Sequence, residues 1–164
     1  MSEGFYQDAC DALVGFLPPD LVTFEHRLHA RGLKVWFGEV HREHYELQEV
    51  GMVERGGRDV LERGLEIGFH AEHRDPAAND AALAPLLRAE KRWRSALGAD
   101  PSAGAFVNDQ GRGWQRISEF WTGAEIDEPD TAIEAADRLA GYIAALEPLR
   151  RGRPAKAASP RSAP

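Results

Sequence analysis

Apolar positions recur at three- and four-residue steps in GFYQDACDALVGFLP, where Phe5, Ala9, Ala12, Leu13 and Phe16 share a face. The pattern predicts a short amphipathic helix that stops before Pro18 and Pro19. In DLVTFEHRLHARG, Asp20 is placed to cap a second helix, Gly32 to end it, and Leu21, Phe24 and Leu28 to share its face. The same stretch reads equally as the start of a strand. From Leu33 the period falls to two. LKVWFGEV sets Leu33, Val35 and Phe37 against Lys34, Trp36 and Gly38, and EHYELQEV sets Tyr45 and Leu47 against His44, Glu46 and Gln48. These predict two antiparallel strands joined near His41 and Arg42. VERGGRDVLERG is expected to be a loop with at most a helical turn. GLEIGFHAEH then alternates most clearly, with Leu65, Ile67, Phe69 and Ala71 opposite Glu66, Gly68, His70 and Glu72.

Beyond Asp75 and Pro76, AANDAALAPLLRAEKRWRSALG reads as a helix capped by Asn79 or Asp80, or starting nearer Leu83 because Pro85 is tolerated only in a first turn. Two short strands follow, AFVND and WQRISEFW. In the second, Trp114 and Phe120 lie opposite Ile117 and Trp121, so both faces should be covered. The closing helix carries Ile133, Ala136, Leu139, Ala140, Ile143 and Leu146 on one stripe and is expected to end at Pro148. Ile67 and Phe69 should pack in one layer with Leu139 and Ile143. The fold class expected is α+β, with a largely antiparallel five-stranded sheet in the order α(α)βββαββα and helices packed on one face. In element order alone the chain resembles the small binding modules of the type III secretion chaperone class. Its first six elements also resemble the core of restriction-endonuclease-like nucleases. The first resemblance implies partner binding, the second metal-dependent chemistry.

Charge alters this picture at the C-terminus. The chain has 164 residues, 43% apolar and 29% charged, and a net charge of −7. From Arg150 to Pro164 it carries Arg150, Arg151, Arg153, Lys156 and Arg161, with no acidic or large apolar side chain. That composition cannot offset its ordering entropy, so residues 150–164 are expected to be a disordered basic tail and 1–149 a single α+β domain. The body keeps 15 basic residues against 27 acidic ones, which should repel nucleic acid except through the tail. The chain has no apolar run near the roughly 20 residues of a membrane span and lacks the basic flank and cleavage site of a secretory signal. A soluble, cytoplasmic protein is expected. The single cysteine, Cys10, excludes an internal disulfide and a multi-thiolate zinc site. Asp8 and Asp11 beside it should raise its thiol pKa and leave it unreactive.

The chemistry-bearing residues are histidines and glutamates. All six histidines fall in three pairs with two residues between the members: His26 and His29, His41 and His44, His70 and His73. If the middle strands form a meander, His44, Glu46 and Gln48 lie beside Glu66, His70 and Glu72 on the face away from the aliphatic residues. His44, His70, Glu66 and Glu72 are the candidate metal ligands, and Glu46, Glu66, His70 and Glu72 the candidate catalytic groups. The carboxylate-x-lysine pattern of the nucleases is missing, since Gly68 follows Glu66 and Gln48 follows Glu46. The glycine-rich phosphate loop and the serine nucleophile elbow are also absent. Two functions are therefore expected. One is a non-enzymatic interaction or chaperone-like module, cofactor-free, that binds a protein partner or a second copy through Trp36, Trp93, Trp114, Phe120 and Trp121. The alternative is a hydrolase or degenerate nuclease that uses a divalent metal on the His/Glu face. Convergence of those side chains in a pocket favours the second, a broad apolar surface the first.

Overall fold

Asp75 and Pro76 start a helix in the manner their chemistry dictates, the Asp75 side chain accepting a hydrogen bond from the Ala77 amide at 3.0 Å while Pro76 needs no partner for a missing N–H. The structure, a computed structural model, describes residues 3–56, 58–106, 111–123 and 130–152. Its helices are α1 (Glu3–Phe16), α2 (Pro76–Arg88), α3 (Glu90–Leu97) and α4 (Thr131–Arg150). The strands are β1 (Glu25–His29), β2 (Gly32–Trp36), β3 (Glu43–Val50), β4 (Val53–Arg55), β5 (Arg58–Val60), β6 (Gly64–Ala71), β7 (Ser102–Ala105) and β8 (Gln115–Thr122).

The class is α+β with an antiparallel sheet, as the periodicity predicts, but the sheet has six strands and not five. Its order is β1-β2-β3-β6-β8-β7, so β1 and β7 are the edges, and β4 and β5 form a separate two-stranded ribbon. The sixth strand is β1. In place of a second helix the chain makes a single 3-10 turn at Pro19–Leu21 and then runs extended, because Glu25 to His29 pair with Trp36 to Gly32 through a two-residue turn at Ala30 and Arg31. The expected loop at VERGGRDV is the β4–β5 ribbon, with Val53 paired to Val60.

Leu33 and Val35 of β2, Tyr45 and Leu47 of β3, Leu65, Ile67 and Phe69 of β6 and Ile117 of β8 form one core with Leu13 of α1, Leu86 of α2, and Leu139 and Ile143 of α4. Ile67, Phe69, Leu139 and Ile143 are all fully buried, as expected. Ile133 is not part of the stripe and is half exposed; Ala132, Ala135 and Tyr142 take the inward positions. The helix over residues 76–97 is broken at Ala89, and Pro85 lies within α2. Asn79 does not cap it but is buried, bridging the main chain of His73 and the Gly113 carbonyl. Trp93 is a core residue, its indole N–H donating to the Leu86 carbonyl at 2.9 Å.

Pro148 does not end α4. The helix runs on to Arg150, whose guanidinium pairs with Glu147 at 2.5 Å and with Glu43 of β3, while Arg151 pairs with Glu147 at 2.9 Å. A proline in a last turn removes few helical hydrogen bonds, and these charge-assisted contacts hold the turn. Arg150 and Arg151 thus belong to the fold, and the rest of the expected tail, 153–164, lies outside the described residues. Among the described residues no helix is long and apolar enough to cross a membrane.

Candidate metal centre

Pairing places His44 opposite His70, Glu46 opposite Gly68 and Gln48 opposite Glu66 across β3 and β6. Lys34 of β2 lies opposite Glu46, and Arg116 and Ser118 of β8 lie opposite His70 and Gly68. Since Tyr45, Leu47, Ile67 and Phe69 face the helices, alternation sends all these polar side chains to the other side of the sheet. That face is not wet. Glu46, His70 and Ser118 are fully buried, and His44, Glu66 and Arg116 nearly so. Phe106 stands edge-on to His70 at 4.7 Å between ring centroids.

One ligand atom from each of His44, Glu46, His70 and Glu72 lies within 4.8 Å of the other three. His44 Nε2 is 3.2 Å from Glu46 Oε2 and 3.9 Å from Glu72 Oε2. His70 Nδ1 is 3.1 Å from Glu46 Oε2 and 3.7 Å from Glu72 Oε1. Four atoms held about 2.0–2.1 Å from a tetrahedral zinc stand about 3.3–3.4 Å apart; the two contacts of Glu46 are close to this, while Glu72, which faces His44 with one oxygen and His70 with the other, stands farther off.

The outward ring nitrogens are engaged. His44 Nδ1 donates to the His41 carbonyl at 3.1 Å, and that acceptor fixes its proton there. His70 Nε2 faces Glu66 Oε1 at 3.4 Å. Glu66 is itself held by Ser118, whose hydroxyl donates at 2.6 Å, and by Arg116 at 3.6 Å. This is the arrangement by which a carboxylate or carbonyl orients a metal-binding imidazole.

Burial and charge pairing act in opposite directions on the titratable groups of the cluster. Burial lowers the His44 pKa, and the hydrogen bond and charge of Glu46 beside it oppose that shift. Burial would raise the pKa of Glu46, but hydrogen bonds with His29 and His44 and the His70 imidazole 3.1 Å away hold it well below the ordinary range. Glu72 behaves likewise: His70, His44 and Lys34 outweigh burial and bring it to about 2. For His70, burial is overcome by Glu66, and then by Glu46 and Glu72, and the pKa rises well above 6.5. Even so, neither of its buried ring nitrogens makes a directed hydrogen bond. Lys34, 3.3 Å from Glu46 and 3.1 Å from Glu72, is the protein's own cation at this point.

A pH dependence follows for the metal-free protein. Because the folded pKa of His70 exceeds its unfolded value, this contribution to stability is complete below about pH 6.5 and is lost as pH rises through the folded pKa. Glu72 works in the opposite sense, contributing above its ordinary 4.5 and losing that contribution as pH falls toward about 2. Melting in the presence of a chelator should therefore show a transition temperature that declines on the alkaline side of neutrality. His70→Gln should flatten that decline, and an unchanged slope would contradict the assignment.

No protein-family model matches this chain. Comparison with characterised proteins and with solved structures likewise finds no match. The chemistry must be read from the residues alone.

Of the residues predicted from the sequence, His44, His70 and Glu72 converge, and Glu46, expected among the catalytic groups, is the fourth member of the cluster. Glu66, expected as a ligand, stands one layer out behind His70. The other histidines do not join in as pairs. His26 and His29 are on a strand and not a helix, so they point to opposite faces, and only His29 reaches Glu46, at 3.3 Å. It does so across Gly32, where a Cβ would lie 2.7 Å from the His29 ring. His41 offers its carbonyl, and His73 bonds Glu43 at 3.0 Å. Cys10 is buried and its thiol pKa is raised, by burial and by Asp11.

Gly68 sits at the middle of the centre for a steric reason. A Cβ there would meet the Ile117 carbonyl oxygen at 2.3 Å and Ser118 Cα and Cβ at 2.5 Å. Backbone on β8 cannot swing aside, so Gly68→Ala should cost about 1–3 kcal/mol, at the upper end for overpacking. Urea denaturation would measure it, and a neutral result would mean that β6 and β8 are further apart.

Proposed function

We propose that this protein is a metal-dependent hydrolase acting on a small substrate, with His44, Glu46, His70 and Glu72 as the ligands of a divalent transition ion. The observation that carries this reading is the convergence of two imidazoles and two carboxylates within 4.8 Å of one another, with the outward nitrogen of His44 donating to a carbonyl and that of His70 standing 3.4 Å from the Glu66 carboxylate. Mixed nitrogen and oxygen donors suit zinc or manganese. Three of the ligands are buried, while Glu72 also lines a cleft of about 290 Å3, which gives a substrate access to one side of the ion. A metal held by these residues would need Glu72, the least buried of the four, to yield a position to water, and would then supply an activated water and polarise the bond to be cleaved. The chain's residues do the rest: Phe106 excludes solvent from His70, Glu66 orients the ring, and the half-exposed Lys34 can withdraw from Glu46 and Glu72 to offset charge that develops on the substrate.

The interaction-module reading has less support. Trp93 is in the core, Trp36, Trp114, Phe120 and Trp121 are half-buried, and the exposed large apolar residues are distributed over α1, α2, α4, the β2–β3 loop and the β4–β5 ribbon.

Melting with excess zinc, and separately with manganese, should stabilise the protein by about 2.7 kcal/mol at a hundredfold excess over the dissociation constant, a shift of several degrees. A His70→Ala, Glu66→Ala double variant should not respond. The zinc-loaded protein should hydrolyse 4-nitrophenyl acetate or 4-nitrophenyl phosphate, and Glu72→Gln should abolish this. A flat melting response, or one that needs millimolar metal, would retire the reading.

A further inference from the structure

The cleft beside Glu72 has a composition of its own. One wall is aromatic, formed by Phe106, Trp114 and Phe120, and Met52 and Val53 lie among the residues that complete the lining. At about 290 Å3 it suits a small molecule and not a polymer. Flat rings on one side and thin aliphatic groups elsewhere favour a flat apolar body.

Charge selects the other half of the ligand. The carboxylates of the lining already have cations or donors against them. Glu49 accepts from Arg63 at 2.7 Å, Glu66 accepts from Ser118 and stands by Arg116, and Glu72 pairs with Lys34. Arg31 also lines the cleft, and it gives a hydrogen bond to the neutral main-chain carbonyl of Glu49 at 2.9 Å, which leaves its charge uncancelled by that contact. The aromatic faces carry guanidinium groups of their own, Arg112 over Trp114 at 4.6 Å and Arg116 over Phe120 at 4.9 Å. A cationic ligand would meet rings already used in this way. A divalent ion at the four ligands displaces the His70 proton and still adds one net positive charge, so the loaded site calls for an anion.

We infer that the cleft takes a small anion bearing a flat aromatic group, with its charged end toward the ion and its ring against Phe120 and Trp114. This inference rests on the proposed metal centre and names the class of ligand that the centre would act on, an aryl-bearing anionic ester.

Calorimetric titration of the full chain tests it. Zinc is titrated first, without any organic anion; absence of uptake at this stage would overturn the metal reading itself, and the inference with it. Benzoate, acetate and benzyl alcohol are then titrated into the loaded protein. Benzoate should bind at least tenfold more tightly than either of the others. Phe120→Ala should weaken benzoate about tenfold and leave zinc affinity unchanged. Met52→Glu, at an exposed position that folding tolerates, should weaken benzoate through like charge and leave benzyl alcohol unaffected. If zinc binds but acetate matches benzoate, or benzyl alcohol matches benzoate, the ligand class is wrong while the metal centre stands.

Discussion

Phe69→Ala is expected to lower the free energy of unfolding by about 3–5 kcal/mol, the range for removing a large aromatic side chain from a packed core. Phe69 lies on β6, one of the two innermost strands, is fully buried and packs against Tyr45 at 5.5 Å between ring centroids. The Arg150 guanidinium lies over its ring at 4.8 Å, so truncation also exposes the underside of the ion pairs that close α4. Neither neighbour can readily fill the gap: Tyr45 is tied by its hydroxyl to Glu147 at 3.0 Å, and Arg150 is held by Glu43 and Glu147. Urea denaturation with an unchanged m-value would measure the loss directly. A change below about 1 kcal/mol would mean that the inward face of β6 has been assigned wrongly.

Glu119→Leu should cost about 3 kcal/mol for a different reason. Glu119 is a carboxylate on the inward side of β8, and it collects four donors: Arg138 twice, at 2.9 and 2.5 Å, Tyr142 at 2.9 Å and Trp121 at 2.9 Å. Arg138 also donates to the Leu97 carbonyl at 2.7 Å, so one acid joins β8 to α3 and α4. Removing it leaves the Tyr142 hydroxyl buried without its acceptor and Arg138 without its counter-charge. The cost falls at the lower end of the range for breaking a buried pair, because Arg138 keeps partial access to water. Glu119→Gln, which retains an acceptor, should cost less than half as much. Equal losses for the two variants would show that the charge matters and the hydrogen bonds do not.

The strands that carry the centre were legible because each alternates over at least four positions, and alternation alone decides which side chains share a face. That is why the alternation places His44, Glu46, Glu66, His70 and Glu72 on one face, although it names Glu66 and not Glu46 among the metal ligands. What could not be read was the neighbour relation beyond the meander. Lys34, Arg116 and Ser118 join the site only because β2 and β8 flank β3 and β6 in one particular register. No lysine follows a carboxylate at two positions on these strands, and the one that reaches Glu46 and Glu72, Lys34, comes from the adjacent strand. Region 20–32 was ambiguous because Leu21, Phe24 and Leu28 satisfy a helical spacing while Ala30 and Arg31 make a tight turn. The β4–β5 ribbon did leave a signal, Gly56 and Gly57 between two Val-bearing triplets, which is a hairpin signature that its short strands obscured. Glu119, alternating with Ile117 and Trp121, was visible as an acid on an apolar face, and only a buried partner could account for it.

The sheet's two borders explain how it stops at six strands. At one border β1 presents Glu25, His26 and Arg27 in succession, all exposed, and a further strand laid there would have to accommodate that row of charge. At the other, β7 is only four residues long, and Gly104 has φ at +138°, which interrupts the regular pleat that a ladder requires. Charge guards one side and broken geometry the other, two of the devices that keep β proteins from templating one another. Crowding many copies together should therefore leave each sheet at its own width, so that a surface of buried carboxylates and imidazoles is never stacked into a growing fibre.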